Sequence, residues 1–340
     1  MSNQPKIKLS ILDQSPVRKG GTAAQALQET IALAKEADRL GYTRFWVSEH
    51  HNTRGLAGSA PEVLIPRLAC ETERIRVGSG GVMLPHYSAL KVAENFKVLE
   101  NLFPGRIDLG IGRAPGTDRL TAAALNPHND FNEAAFMQQL KDLGHYLQGT
   151  FEAGDITEKV RATPAADTVP PVWMLSSSGQ SGLFAAHFGF GFSFAHFINP
   201  TGGPRMVKAY KEHFEHSGFL QQPEANVGVF VLCADTAEKA RELQETMDLM
   251  MLRIEKGISA GVPPYEDVQR QDYSEAEQQR IRFNRQRMVS GTPQQVKQQL
   301  EELATDYTVD ELVIVTITHN FADRLRSYQL LAGAFELEAQ

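Results

Sequence analysis

A chain of 340 residues with 42% hydrophobic and 22% charged side chains is long and apolar enough to bury a substantial core, which excludes a disordered protein. Its 41 acidic residues against 34 basic ones give a formal charge of -7, which argues against nucleic acid as a partner and still allows a local cationic pocket for one phosphate. No run nears the roughly 18 consecutive apolar residues of a membrane span, and the opening Met-Ser-Asn-Gln-Pro-Lys lacks the apolar segment of an export signal, so a cytoplasmic protein with no membrane partner is expected.

Strand and helix patterns alternate from the start. Residues 6–12 alternate Ile7, Leu9 and Ile11 as a strand does, and 22–40 space Leu27, Ile31, Ala34 and Leu40 along a helix that Gly41 stops. The pattern recurs as 44–48 with 60–72, 75–84 with 88–103, and 106–111 with 131–147. Further units at 171–175 with 181–188, 191–195 with 205–217, 227–233 with 237–255, and 311–316 with 321–336 bring the count to eight. Eight such units predict an α/β protein, a (β/α)8 TIM barrel rather than an open sheet, because closure leaves no unpaired edge. The expectation is one barrel domain over residues 1–340.

The seventh unit is overlong. Residues 256–291 contain Pro263-Pro264 and a charged, helix-like stretch at 271–287, so they read as an insertion, either a lid or wall of the active site or a solvated excursion. Gly291-Thr292-Pro293 opens another helix, with Thr292 as cap and Pro293 in the first turn.

Within the third strand, Val77 to Pro85 holds three glycines, Gly78, Gly80 and Gly81. Glycine in a strand marks a bend or a close approach to backbone, so Gly80-Gly81 is either a bulge serving the fold or the floor of a cofactor site. Barrels work at the carboxyl ends of their strands. The residues to collect there are Asp13-Gln14-Ser15-Pro16, Glu49-His50-His51-Asn52, His86, Gly112-Arg113-Ala114-Pro115-Gly116 and Ser176-Ser177-Ser178-Gly179.

Adjacent His50 and His51 on an extended chain point to opposite sides, which speaks against one metal held by both; no metal is expected. One of the two facing the mouth suits an acid, base or hydrogen-bond role, with the other structural. Ser176 to Gly179 precede a helix, where hydroxyls and free N–H groups can take a phosphate, and Arg113 adds a permanent charge. Together they suggest a phosphorylated cofactor; separately, they read as an ordinary helix cap and a surface ion pair. No Walker loop and no G-x-G-x-x-G after a strand is present. Cys70 and Cys233 fall in apolar segments and read as two reduced, buried packing residues.

Three of these stretches, Phe45-Trp46-Val47-Ser48-Glu49-His50-His51-Asn52, Arg76 to His86, and Pro104 to Arg113, resemble successive motifs of the bacterial luciferase-like flavin-dependent monooxygenases, in their single-gene branch. The likeness continues through Pro171 to Ser181 and Gly291-Thr292-Pro293. It implies a (β/α)8 barrel that takes reduced FMN from a separate flavin reductase, a transient partner, and uses O2 to oxidise a small organic substrate such as an aldehyde. It further implies that His50 is catalytic, that Gly80 and Gly81, joined by a cis peptide, lie beneath the flavin ring, and that Arg113, Ser178 and Ser181 bind its phosphate. The helices at 60–72 and 88–103 match those through which luciferase subunits associate, implying a homodimer.

Two departures limit the likeness. Ser177 stands where luciferase has an acidic neighbour of the phosphate, and Gly112 where it has a reactive cysteine; a second phosphate-binding arginine also lacks a clear counterpart. Aldehyde preference and light emission are therefore not carried over. An F420-dependent hydride-transfer oxidoreductase and a non-catalytic flavin-binding protein remain as alternatives.

Overall fold

The computed structural model describes residues 6–114, 116–128 and 132–338. Its strands, all parallel, are β1 (Lys8–Asp13), β2 (Arg44–Val47), β3 (Arg76–Met83), β4 (Ile107–Gly112), β5 (Val172–Ser176), β6 (Gly191–Ala195), β7 (Ala225–Cys233), β8 (Met288–Gly291) and β9 (Glu311–Val315). Strands β1 to β7 pair in sequence, β7 pairs with β9, and β9 returns to β1, which closes an eight-stranded barrel. These eight are the strands expected from the sequence.

The ninth, β8, is a finding. It pairs Met288–Gly291 with Phe230–Cys233, the far end of β7, outside the closed ring. It falls in the stretch read as an insertion, and four residues are too few to show a strand period. The same stretch also forms Tyr265–Val268 and Glu275–Asn284, the latter opened by a Ser274/Glu277 capping box.

The local signals at helix ends operate as physics requires. Thr22 and Gln25 form a capping box for Ala23–Leu40, and Gly41 ends it at φ 87°. Thr292 and Gln295 do the same for Pro293–Tyr307. The helix expected at 131–147 runs Glu133–Gln148; Phe131 and Pro115 lie outside the described residues. A short helix at Arg119–Leu125 was not expected.

Alternation along each strand divides the interior in two. Leu9, Ile11, Phe45, Val77 and Ile107 pack outward against the helices, whereas Leu12, Trp46, Trp173, Leu232 and Val313 fill the barrel. The amino-terminal end of the barrel is sealed by charge. Asp108, without exposed surface, accepts from Arg44 Nη1 (3.0 Å), Trp46 Nε1 (3.0 Å) and Arg76 Nε (2.8 Å). Glu311 accepts from Arg44 Nε (2.9 Å) and Ser10 Oγ (2.6 Å), and the Arg44 guanidinium lies 4.8 Å from the Trp173 ring centroid.

Cysteine placement corrects one expectation. Cys233 is buried and burial pushes its thiol up to about 12, but Cys70 is exposed. The helix Pro61–Glu71 turns Ile65, Leu68 and Ala69 to the core, which leaves Cys70 on its outer face. Among the described residues, no helix is long and apolar enough to cross a membrane.

Candidate active site

The site begins with the glycines of β3. A Cβ on Gly78 would sit 2.4 Å from the Asp108 carbonyl oxygen, and one on Gly81 2.9 Å from the Gly110 backbone, so β3 and β4 approach too closely for side chains. Their pairing slips between Ser79 and Val82, and the Gly80-Gly81 peptide is cis. The run is a bulge that serves the fold, and its glycines also line a cavity of about 1090 Å³ at the carboxyl ends of the strands.

That cavity brings together His50, Gly80, Gly81, Arg113, Ser178 and Ser181, the six residues to which the resemblance gave catalytic or cofactor-binding roles. Leu12, Trp46, Leu175, Phe197 and Val313 supply apolar wall. At one end, Arg113 donates to Gln180 Oε1 (2.7 Å), so its partner is an amide and not the carboxylate of a surface ion pair. Beside it, the Ser178 hydroxyl lies 3.1 Å from that of Ser176 and 3.4 Å from that of Ser181. Ser178 precedes the helix Gly179–Phe188 without making a side-chain cap bond. First-turn N–H groups left without a side-chain cap, two hydroxyls and a guanidinium thus lie together, all of them donor types suited to an anion.

Not every collected residue is there. Asp13 instead forms a buried pair with Arg324 (3.3 Å). His86 packs against His51 and Tyr87. Glu49 is buried and accepts from the Met83 N–H (3.0 Å) and the Tyr87 hydroxyl (2.8 Å), with His51 Nε2 at 2.8 Å; it fastens the loop after β2 to the loop after β3. Conversely, Arg119 and Asn126 line the cavity and were missed. The signal for their helix was Asp118, which caps it by accepting from the N–H groups of Leu120 and Thr121.

A second chamber of about 480 Å³ adjoins the first and shares Gln14, His50, Phe197 and Ile198 with it. Met250, Met251 and Ile254, from the helix Ala237–Glu255, form one wall, and residues 257–262 another. The beginning of the 256–291 stretch thus borders the site.

The model of the family described as luciferase-like monooxygenase matches residues 7–311. The chain belongs to the luciferase-like monooxygenase family. It is 54% identical over 97% of its length to the protein YwcH of Bacillus subtilis, covering 99% of that protein. To the N-acetyl-S-alkylcysteine monooxygenase of the same organism it is 37% identical, over 96% of this chain and 98% of the other. Among solved structures, apo-MsnO8 matches with a TM-score of 0.90 and 38% identity, covering 98% of this chain and all of that one, 100%.

In this luciferase-like monooxygenase, His50 is set apart electrostatically. Its Nδ1 lies 3.1 Å from Ser48 Oγ, and burial, with the neighbouring His51, lowers its pKa to about 4. The imidazole is therefore neutral throughout the physiological range. Since the unfolded chain protonates near 6.5, the unfolded state binds more protons between the two values. Stability is complete above about pH 6.5 and is lost as pH falls toward 4, by roughly 3 kcal/mol from this group. An NMR titration of the ligand-free protein is expected to show His50 changing charge near pH 4, and His50→Gln to flatten that part of the stability profile. A midpoint near 6.5 would show that the ring is solvated.

Proposed function

We propose that the protein is an FMN-dependent monooxygenase that uses reduced flavin and O2 on a small organic substrate. What carries the reading is the polarity of one cavity: an anion site at Arg113 and Ser178, a side-chain-free peptide at Gly80-Gly81, and neutral His50 beyond it. The residues fit the group. Arg113, Ser178, Ser181 and the first turn of Gly179–Phe188 would hold the phosphate, and Gly80-Gly81 would admit a flat ring against backbone. Bound reduced FMN would supply the two electrons with which O2 gives one atom to the substrate and the other to water.

The chain does the rest. Leu12, Trp46, Leu175 and Val313 exclude water from the ring end of the cavity. His50, uncharged and shared by both chambers, accepts or relays a proton between cofactor and substrate. The smaller chamber receives the substrate. An aldehyde is one candidate, to be tested because Gly112 and Ser177 depart from luciferase, and the name of the 37% identical relative points to an S-alkyl thioether as the other. A flavin reductase supplies the reduced cofactor, and the chain pairs through the helices Pro61–Glu71 and Ala89–Leu102, where Val63, Val98 and Leu102 are exposed.

Calorimetric titration of FMN against F420 tests the cofactor, on a species that light scattering is expected to place at twice the chain mass. FMN is expected to bind, and isotopically labelled O2 to leave its label in an oxidised aldehyde or thioether. Binding of F420 alone would replace the reading with hydride transfer. Unchanged products in His50→Ala across the substrate screen would leave a flavin-binding protein.

A further inference from the structure

Among the described residues, the smaller chamber is lined by two arginines, Arg253 and Arg287, and by no carboxylate. In a chain of formal charge -7 this is a local inversion of sign. Asp267 serves both Lys19 (2.7 Å) and Arg253 (3.1 Å), and Glu255 serves both Arg280 (2.8 Å) and Arg287 (3.2 Å), so two carboxylates face four cations.

Arg287 is the less compensated of the two lining arginines. It is 8% exposed; Nη2 reaches Glu255 and the Asn284 side-chain oxygen, Nη1 makes a 3.3 Å contact with the Ile198 carbonyl, and Nε–H has no acceptor among the described residues. Burial opposes the charged form. A desolvated guanidinium with a share in one carboxylate is stabilised by a further anion. Phe230, Met250, Met251, Ile254 and Ile317 supply apolar wall, and the polar side chains that join them, among them Gln14, His50, His51 and Thr53, are uncharged or histidine.

We propose that this chamber selects a small organic anion, an alkyl chain ended by a carboxylate, which Arg287 holds while the opposite end of the chain points toward His50. Only that direction rests on reading the larger cavity as the flavin slot. The preference for the carboxylate stands on the chamber alone.

Octanoate and 1-octanol, matched in length, serve as probes in calorimetric titrations of the full chain. Wild type is expected to bind octanoate at least about tenfold more tightly than octanol. In Arg287→Met the preference is expected to fall to about unity with octanol binding retained, Arg287→Lys to restore most of it, and Arg113→Ala to leave it unchanged. Equal binding of the two probes by wild type, a preference that survives Arg287→Met, or one that disappears in Arg113→Ala would each overturn the proposal. Should Arg287→Met fail to fold, carboxyl-labelled octanoate on wild type decides: a bound carboxyl titrating below its free value supports the site, and an unshifted one overturns it. FMN is titrated on the same preparations. Octanoate preference without FMN binding would sink the monooxygenase reading and leave this one, and the reverse would sink this one alone.

Discussion

Arg113→Ala is expected to weaken FMN binding by roughly 10- to 100-fold while leaving riboflavin, which lacks the phosphate, within about twofold of wild type. The expectation follows from what surrounds the guanidinium. Arg113 spends one bond on the amide oxygen of Gln180, a neutral acceptor that a phosphate can displace, and stands beside the uncapped start of Gly179–Phe188. A charge-assisted bond to a dianion is worth about 1.5 to 3 kcal/mol, which sets the range of the loss. Ser178→Ala removes a neutral donor and is expected to cost less. If Arg113→Ala weakened FMN and riboflavin alike, the arginine would be shaping the cavity and not reading the phosphate.

How much of this was open to the sequence depends on the range of the forces involved. The eight barrel strands were legible because inward and outward positions alternate within each strand, and because the helices between them end on local signals such as the Thr22/Gln25 box and Gly41. Strand β8 was not, since its pairing with the far end of β7 is a long-range event in a segment of four residues. Gathering of His50, Gly80, Gly81, Arg113, Ser178 and Ser181 followed from the barrel, which brings every strand end to one mouth. That rule says where a strand ends and not which way its last side chain turns. Asp13 lies at the end of β1 yet turns outward to Arg324.

Residues that reach the site from outside the barrel ring were beyond this reasoning. Arg253 comes from the last turn of the helix Ala237–Glu255 and Arg287 from the turn before β8, and both join the smaller chamber only once those elements dock. Arg119 is an intermediate case, carried by a short helix whose cap, Asp118, is visible locally but whose position over the cavity is not. Cys70 shows the opposite error: an apolar neighbourhood in sequence placed it inside, and the helical period put it outside.

Asp108→Ala is expected to destabilise the fold by about 3 to 5 kcal/mol, because it leaves the guanidinium groups of Arg44 and Arg76 in the barrel base without their shared carboxylate. For a chain of this size that corresponds to a fall in apparent melting temperature of about 5 °C. Burial disfavours the ionised carboxyl, but Arg44 and Arg76 outweigh it and hold the pKa below the usual value. A lowered native pKa means that the stabilisation is complete above about pH 4 and is lost as pH falls through the native value. Acid should therefore narrow the gap between wild type and Asp108→Ala, a pattern that a simple cavity would not produce. Binding at the other end of the barrel should remain: Trp46 and Trp173 lie between the charged base and the cavity, and a folded Asp108→Ala protein is expected to hold FMN as wild type does. Denaturant melts at two pH values with an FMN titration at the higher one separate the outcomes. Equal losses at both pH values would assign Asp108 to packing, and lost FMN binding in the folded variant would show that base and mouth are one unit.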